Sequence, residues 1–162
     1  MKPIHLMTGC LFCAVTVEAQ DAAFQASLTP EVAIYSKSTE VQGLSLSIWG
    51  ENPQHGVAFG FVNGSTGDSR GFSLGLVNYA DSYSGVSWGF VNFSQTSFVG
   101  WQNGWLNVSQ GECNGFQLGL VNYAGNLHGV QVGFANIAMN NPWFDDFPNK
   151  LATGFPVINW SF

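Results

Sequence analysis

The chain has 162 residues, room for one domain of ordinary size. Charged residues make up 9% of it, against roughly 25% in an average soluble domain, while aromatics reach 15% and there are 20 glycines. This excludes a disordered tail, and 4 Lys+Arg with a net charge of −6 exclude nucleic acid as a partner.

Residues 1–19 read as a secretory signal peptide. Lys2 is the positive start, Ile4 to Val17 an apolar stretch too short to span a membrane, and Val17 and Ala19 the small residues before a cleavage site. Cys10 and Cys13 invite lipidation, but Leu11 and Phe12 are too bulky ahead of Cys13 and the apolar run ahead of Cys10 is too short. Cleavage after Ala19 leaves Cys113 as the one cysteine, so neither a disulfide nor a zinc site follows. Residues 20–40 read as a linker with a strand candidate at 31–36, and 41–162 as a β-repeat domain.

From Gly56 one pattern recurs: GVAFGFVN at 56–63, GFSLGLVN at 71–78, GVSWGFVN at 85–92, GWQNGWLN at 100–107, GFQLGLVN at 115–122 and GVQVGFAN at 129–136. A degenerate copy, GLSLSIWG, starts at Gly43, and successive first glycines lie 13, 15, 14, 15, 15 and 14 residues apart. Each unit alternates with period two, the signature of a strand. One face carries bulky apolar residues such as Val86, Trp88 and Phe90, the other Gly85, Ser87 and Gly89. The expectation is that the apolar face meets core or lipid and the Ser/Gln face meets water. Between Val41 and Asn140 the charges are Glu51, Asp68, Arg70, Asp81 and Glu112, all between units and beside turn-forming residues. Strands are expected at 41–50, 55–63, 70–80, 83–94, 97–108, 113–124, 127–138 and 154–162, with an aromatic loop at 139–153.

Two folds suit this all-β chain of ~14–15-residue strand units. The first is an antiparallel meander closing into an eight-stranded barrel. Short hairpin loops keep the apolar face on one side, and Ile158, Trp160 and Phe162 give the closing strand the terminal aromatic pattern of outer-membrane barrels. The alternative is a β-solenoid, one unit per coil, in which Asn63, Asn78, Asn92, Asn107, Asn122 and Asn136 form an amide ladder. Odd and even units look alike, which favours the solenoid. GFSLGLVNYA, GFQLGLVNYA, GVQVGFANIA and the closing GFPVINWSF resemble bacterial surface-repeat proteins built on GLQLGLVN-type units. The resemblance covers about residues 43–162 and implies an exported cell-envelope protein of unassigned activity, with no catalytic residue to carry over.

Chemistry-bearing residues are sparse. His55 and His128 lie beside turns and read as solvated, and Asp145 and Asp146 form an acidic pair between aromatics at a loop tip. Asn63, Asn92, Asn107 and Asn159 each fit Asn-x-Ser, but the repeat itself supplies the asparagines. No catalytic, metal or cofactor motif is found, so no enzyme is expected. The sequence-level expectation is a structural envelope protein, a small outer-membrane barrel without a wide pore, whose partners are outer-membrane or cell-surface components. The alternative is a secreted β-solenoid for adhesion or binding.

Overall fold

A computed structural model describes residues 21–162 of the chain. The stretch 1–19 read as a signal peptide, with Cys10 and Cys13, lies outside the described residues. The strands are β1 (Ala22–Thr29), β2 (Val32–Ala33), β3 (Val41–Asn52), β4 (His55–Leu74), β5 (Val77–Trp88), β6 (Val91–Asn103), β7 (Leu106–Ala138) and β8 (Gly154–Ser161). Their order is β2-β1-β3-β4-β5-β6-β7-β8. β1, within the stretch read as a linker, pairs in parallel with β3 and begins the stack.

The pairing decides between the two folds. β3 to β7 are parallel to their neighbours and in register with the repeat: Asn63 lies beside Asn78, Asn78 beside Asn92, and Asn92 beside Asn107. Gly71, Gly85, Gly100 and Gly115 stack in the same way. The chain is a β-solenoid with one unit per coil. The eight-stranded antiparallel barrel is overturned, because its neighbours must alternate in direction, whereas among the described strands only β1–β2 and β7–β8 are antiparallel. The expected strand unit is also divided. β4 stops at Leu74 and β5 starts at Val77, and the strand is likewise interrupted at Gly89 and Gly104. The chain thus turns a corner at the second glycine of these motifs, while β4 passes through Gly60 and β7 through Gly119 and Gly133 without a break. The stretches expected as hairpin turns, such as Asp81-Ser82, lie within strands at the opposite corner.

Each coil therefore has two short arms, and their inward positions form rows along the axis. Ser73, Ser87, Gln102, Gln117 and Gln131 make one buried row, and Asn63 to Asn136 a second. Ala80, Ser94, Ser109, Ala124 and Ala138 follow, then Tyr83, Phe98, Cys113 and Leu127. Only these last two rows supply an apolar core cluster, in which the Tyr83 and Phe98 rings stack with centroids 6.2 Å apart. The two amide rows bond along the axis, with the Gln131 Oε1 at the end of its row left without a partner. Asn92 Nδ2 donates to Asn107 Oδ1 at 2.8 Å and to the Asn103 carbonyl at 2.9 Å, and each neighbour repeats the arrangement. Gln131 Nε2 donates to Gln117 Oε1, and Gln117 Nε2 to Gln102 Oε1, both at 2.7 Å. In-register parallel stacking makes this possible, since each amide finds its own copy one strand spacing away, about 4.8 Å.

Of the two environments expected for the apolar face, core is overturned, and so is water for the Ser/Gln face. The Ser/Gln face is the interior, and the bulky apolar face is the exterior: Trp88 and Phe90 are each 46% exposed and Ser87 only 6%. The Ser87 hydroxyl donates to Asn92 Oδ1 at 2.7 Å. Ser87→Asp places a carboxylate against that oxygen inside the coil, and should cost about 3 kcal/mol or more in urea unfolding. Phe90→Asp leaves the fold in place, within about 1 kcal/mol of the parent. The opposite ranking would mean that the interior is wrongly assigned.

Both ends of the stack are closed, which keeps parallel strand edges from recruiting further chains. β2 folds antiparallel onto β1 at one end. At the other, β8 runs antiparallel to β7, with Gln131 opposite Asn159, and the 139–153 loop returns over it through Leu151 N to the Trp160 carbonyl. Phe162 stands 74% exposed at this end and closes no barrel.

Candidate functional site

At the second-glycine corner, Gly75, Gly89, Gly104, Gly119 and Gly133 line a groove parallel to the solenoid axis. One wall is Leu74, Trp88, Asn103, Leu118 and Val132, and the other Phe90, Trp105 and Leu120. Its volume is about 590 Å³, and none of its lining side chains titrates. A side chain at Gly89 would bring its Cβ within 2.6 Å of the Gly75 carbonyl oxygen and 2.7 Å of Asn78 Nδ2. The glycines are therefore required by the backbone carbonyls of the coil beneath and by the asparagine ladder behind them, and the groove is the outer consequence.

The walls are aromatic and rigidly supported. Phe90 and Trp105 meet edge to face with centroids 5.0 Å apart, and Trp88, Trp101 and Phe116 continue around the flank at 6.2 and 6.4 Å. The backbone of this corner is committed to neighbouring coils: Gly75 N–H donates to the Trp88 carbonyl, Gly89 to Asn103 and Gly104 to Leu118, each at 3.0 Å. A ligand here finds apolar surface and few hydrogen-bonding groups.

The opposite corner carries the charges. Asp68 pairs in register with Ser82, Ser82 with Ser97 and Ser97 with Glu112, so the polar turns stack into one edge. His55 Nδ1 lies 2.7 Å from Glu40 Oε1 and its Nε2 is 3.0 Å from the Asp68 carbonyl oxygen. His128 Nε2 lies 3.8 Å from Glu112 Oε2. Each histidine thus has an acidic neighbour that the sequence reading left unassigned. Among the described residues neither is hydrogen-bonded to a hydroxyl or thiol, and no His/Cys/Asp/Glu cluster suits a metal ion.

Asp145 and Asp146 are exposed in the terminal loop, remote from both histidines in the chain; Asp146 Oδ1 accepts from Asn149 Nδ2 at 3.3 Å. Cys113 is a free, fully buried thiol. Burial pushes it up to about 11 against the lowering effect of a hydrogen bond with Ser109, so it stays protonated and unreactive at neutral pH. Asn63, Asn92, Asn107 and Asn159 are buried with their amides engaged, which removes the glycosylation reading for the folded chain. The apolar corner, built from residues expected to meet core or lipid, is the feature that sequence reasoning missed as a site. Its signal was present: a glycine in mid-motif in all six full copies, followed each time by Phe, Leu or Trp.

Comparison with protein-family models, with curated proteins and with solved structures finds no match to this chain.

Proposed function

We propose that this chain is an exported, non-catalytic β-solenoid of the bacterial cell envelope, which binds its partner through the apolar corner. The observation that carries this reading is the segregation of the surface. One edge is a continuous strip of exposed Leu, Phe and Trp, and the other bears the charges of the coils. An exposed apolar strip of this extent marks an interaction surface. The leader-like 1–19 and the resemblance to bacterial surface-repeat proteins support the exported address.

Fractionation of bacterial cells producing the full chain with a C-terminal epitope tag tests the reading. The expected product starts at Gln20 and is recovered with the envelope. It migrates identically with and without boiling, because no closed barrel resists detergent. Recovery in the cytosol with an intact Met1 would overturn the proposal.

A further inference from the structure

We infer that the partner of the apolar corner is the hydrocarbon of one lipid leaflet, into which the solenoid inserts edge first with its charged corner in water. This deepens the binding reading above and rests on it. Four observations converge. First, the apolar surface is a three-sided ridge. Beyond the corner rows it continues onto both flanks, through Trp101 and Phe116 on one and Val91 and Leu106 on the other. A flat protein partner, or a second copy placed edge to edge, would cover the corner and leave the flanks in water. A fluid covers all three sides.

Second, hydrocarbon admits backbone only where every N–H and C=O is already paired. At the corner the N–H groups of Gly75, Gly89 and Gly104 meet that condition through coil-to-coil bonds. Apart from Asn103 on the groove wall, the polar side chains of the repeat motif are turned inward and linked to one another in the Asn and Gln rows, as a membrane-facing β-structure requires.

Third, the depth agrees. From Gly75 to Asp81 the chain runs six residues, about 20 Å of extended strand, against about 15 Å for half of a bilayer's hydrocarbon core. In the coils from Gly56 to Asn136 the charged residues are Asp68, Arg70, Asp81 and Glu112. With the glycine corner deepest, all four stand clear of the hydrocarbon. Fourth, Tyr79, Phe93 and Tyr123 lie on the flank between the apolar and charged corners, at the level where amphipathic rings meet lipid headgroups. The net charge of −6 disfavours anionic lipid and insertion is driven by apolar area, so it is expected into zwitterionic bilayers and with little dependence on salt.

Flotation of the purified chain with phosphatidylcholine vesicles tests this. The parent is expected to float with the vesicles at low and high salt alike. Phe90→Asp with Leu120→Asp, both at exposed corner positions, should lower partitioning roughly 30-fold or more. Gln95→Asp with Gln110→Asp adds the same charge at the other corner and should change it by no more than about 3-fold. Circular dichroism confirms that both pairs stay folded. Failure of the folded parent to float overturns the lipid assignment, as does equal loss with both pairs. A parent that stays unbound but forms a dimer, dissociated only by the corner pair, would assign the corner to a second copy instead. Each of these results leaves envelope recovery in cells untouched, so the broader reading stands or falls separately.

Discussion

Asn107→Ala is expected to remove about 2–6 kcal/mol of stability, although the side chain is buried behind the groove and bears no charge. Asn107 is fully buried; its Nδ2 donates to Asn122 Oδ1 at 2.8 Å and to the Leu118 carbonyl at 2.9 Å. Its Oδ1 accepts from Asn92 Nδ2 at 2.8 Å. Alanine strips the Asn122 oxygen of this donor inside a coil, leaves the Leu118 carbonyl without its side-chain partner, and breaks an amide chain whose members polarise one another. Asn92 is hurt less, since its Nδ2 retains the Asn103 carbonyl. Against roughly 5–15 kcal/mol for a whole domain, a loss of this size is a large fraction. Urea unfolding measures it directly, with Asn114→Ala, at an exposed position one motif on, expected within about 0.5 kcal/mol of the parent. Equal midpoints for the two variants would mean that the ladder contributes nothing.

Asn107→Asp sharpens the same test through pH. The introduced carboxylate still accepts from Asn92 but faces two oxygens, the Asn122 side chain and the Leu118 carbonyl, with no proton to offer them. Burial and these oxygens raise its folded pKa above the unfolded value of about 3.9. The folded state then holds the proton more tightly, so stability falls as pH rises from about 4 through the folded pKa, and the penalty is full above it. At low pH the protonated acid donates to Asn122 and the penalty fades. The parent has asparagine there and lacks this dependence at the site.

What the sequence made legible is the repeat, its period and its corners. The Gly71, Gly85, Gly100 and Gly115 register seen in the coils is the spacing of the motif itself, and Asp68, Asp81 and Glu112 mark the polar corner as they marked the unit boundaries. The direction of the strands was less visible, because the same turn parities suit hairpins and coils. The similarity of odd and even units pointed to parallel stacking, and the asparagine ladder expected from it is present.

The inside and outside of the coil were misassigned for a physical reason. Period-two alternation separates two faces without saying which is buried, and the usual rule places Trp88 inside and Ser87 outside. That rule assumes an isolated buried amide or hydroxyl has no partner. Here each Asn and Gln meets its own copy in the next coil, so burial is compensated, and a narrow two-armed coil has no room for stacked indoles. β1 escaped notice because Ala22–Thr29 carries none of the repeat glycines, although its Phe24, Gln25 and Ala26 take the register positions of Leu44, Ser45 and Leu46.

Gly115→Ala is expected to be about as damaging as the loss of a ladder amide, about 3–5 kcal/mol, despite the better strand propensity of alanine. Two effects add. Gly115 holds φ at +144°, which side chains rarely adopt, and its Cβ would be driven into the Gly100 carbonyl oxygen directly beneath it. That oxygen belongs to a backbone whose own glycine stands over Gly85 in the same way, so local relief would separate coils held at about 4.8 Å. Two other glycines separate the contributions. Gly67 has φ of +61° but nothing within 4 Å of an added Cβ, so Gly67→Ala should cost about 1–2 kcal/mol through conformation alone. Gly154 has open space and no positive φ, so Gly154→Ala should be neutral or stabilise by up to about 1 kcal/mol. Urea midpoints should therefore rank Gly154→Ala above Gly67→Ala and both far above Gly115→Ala. If Gly115→Ala proves no worse than Gly67→Ala, coil-to-coil contact is not what fixes the first glycine of the motif, and its recurrence reflects backbone conformation alone.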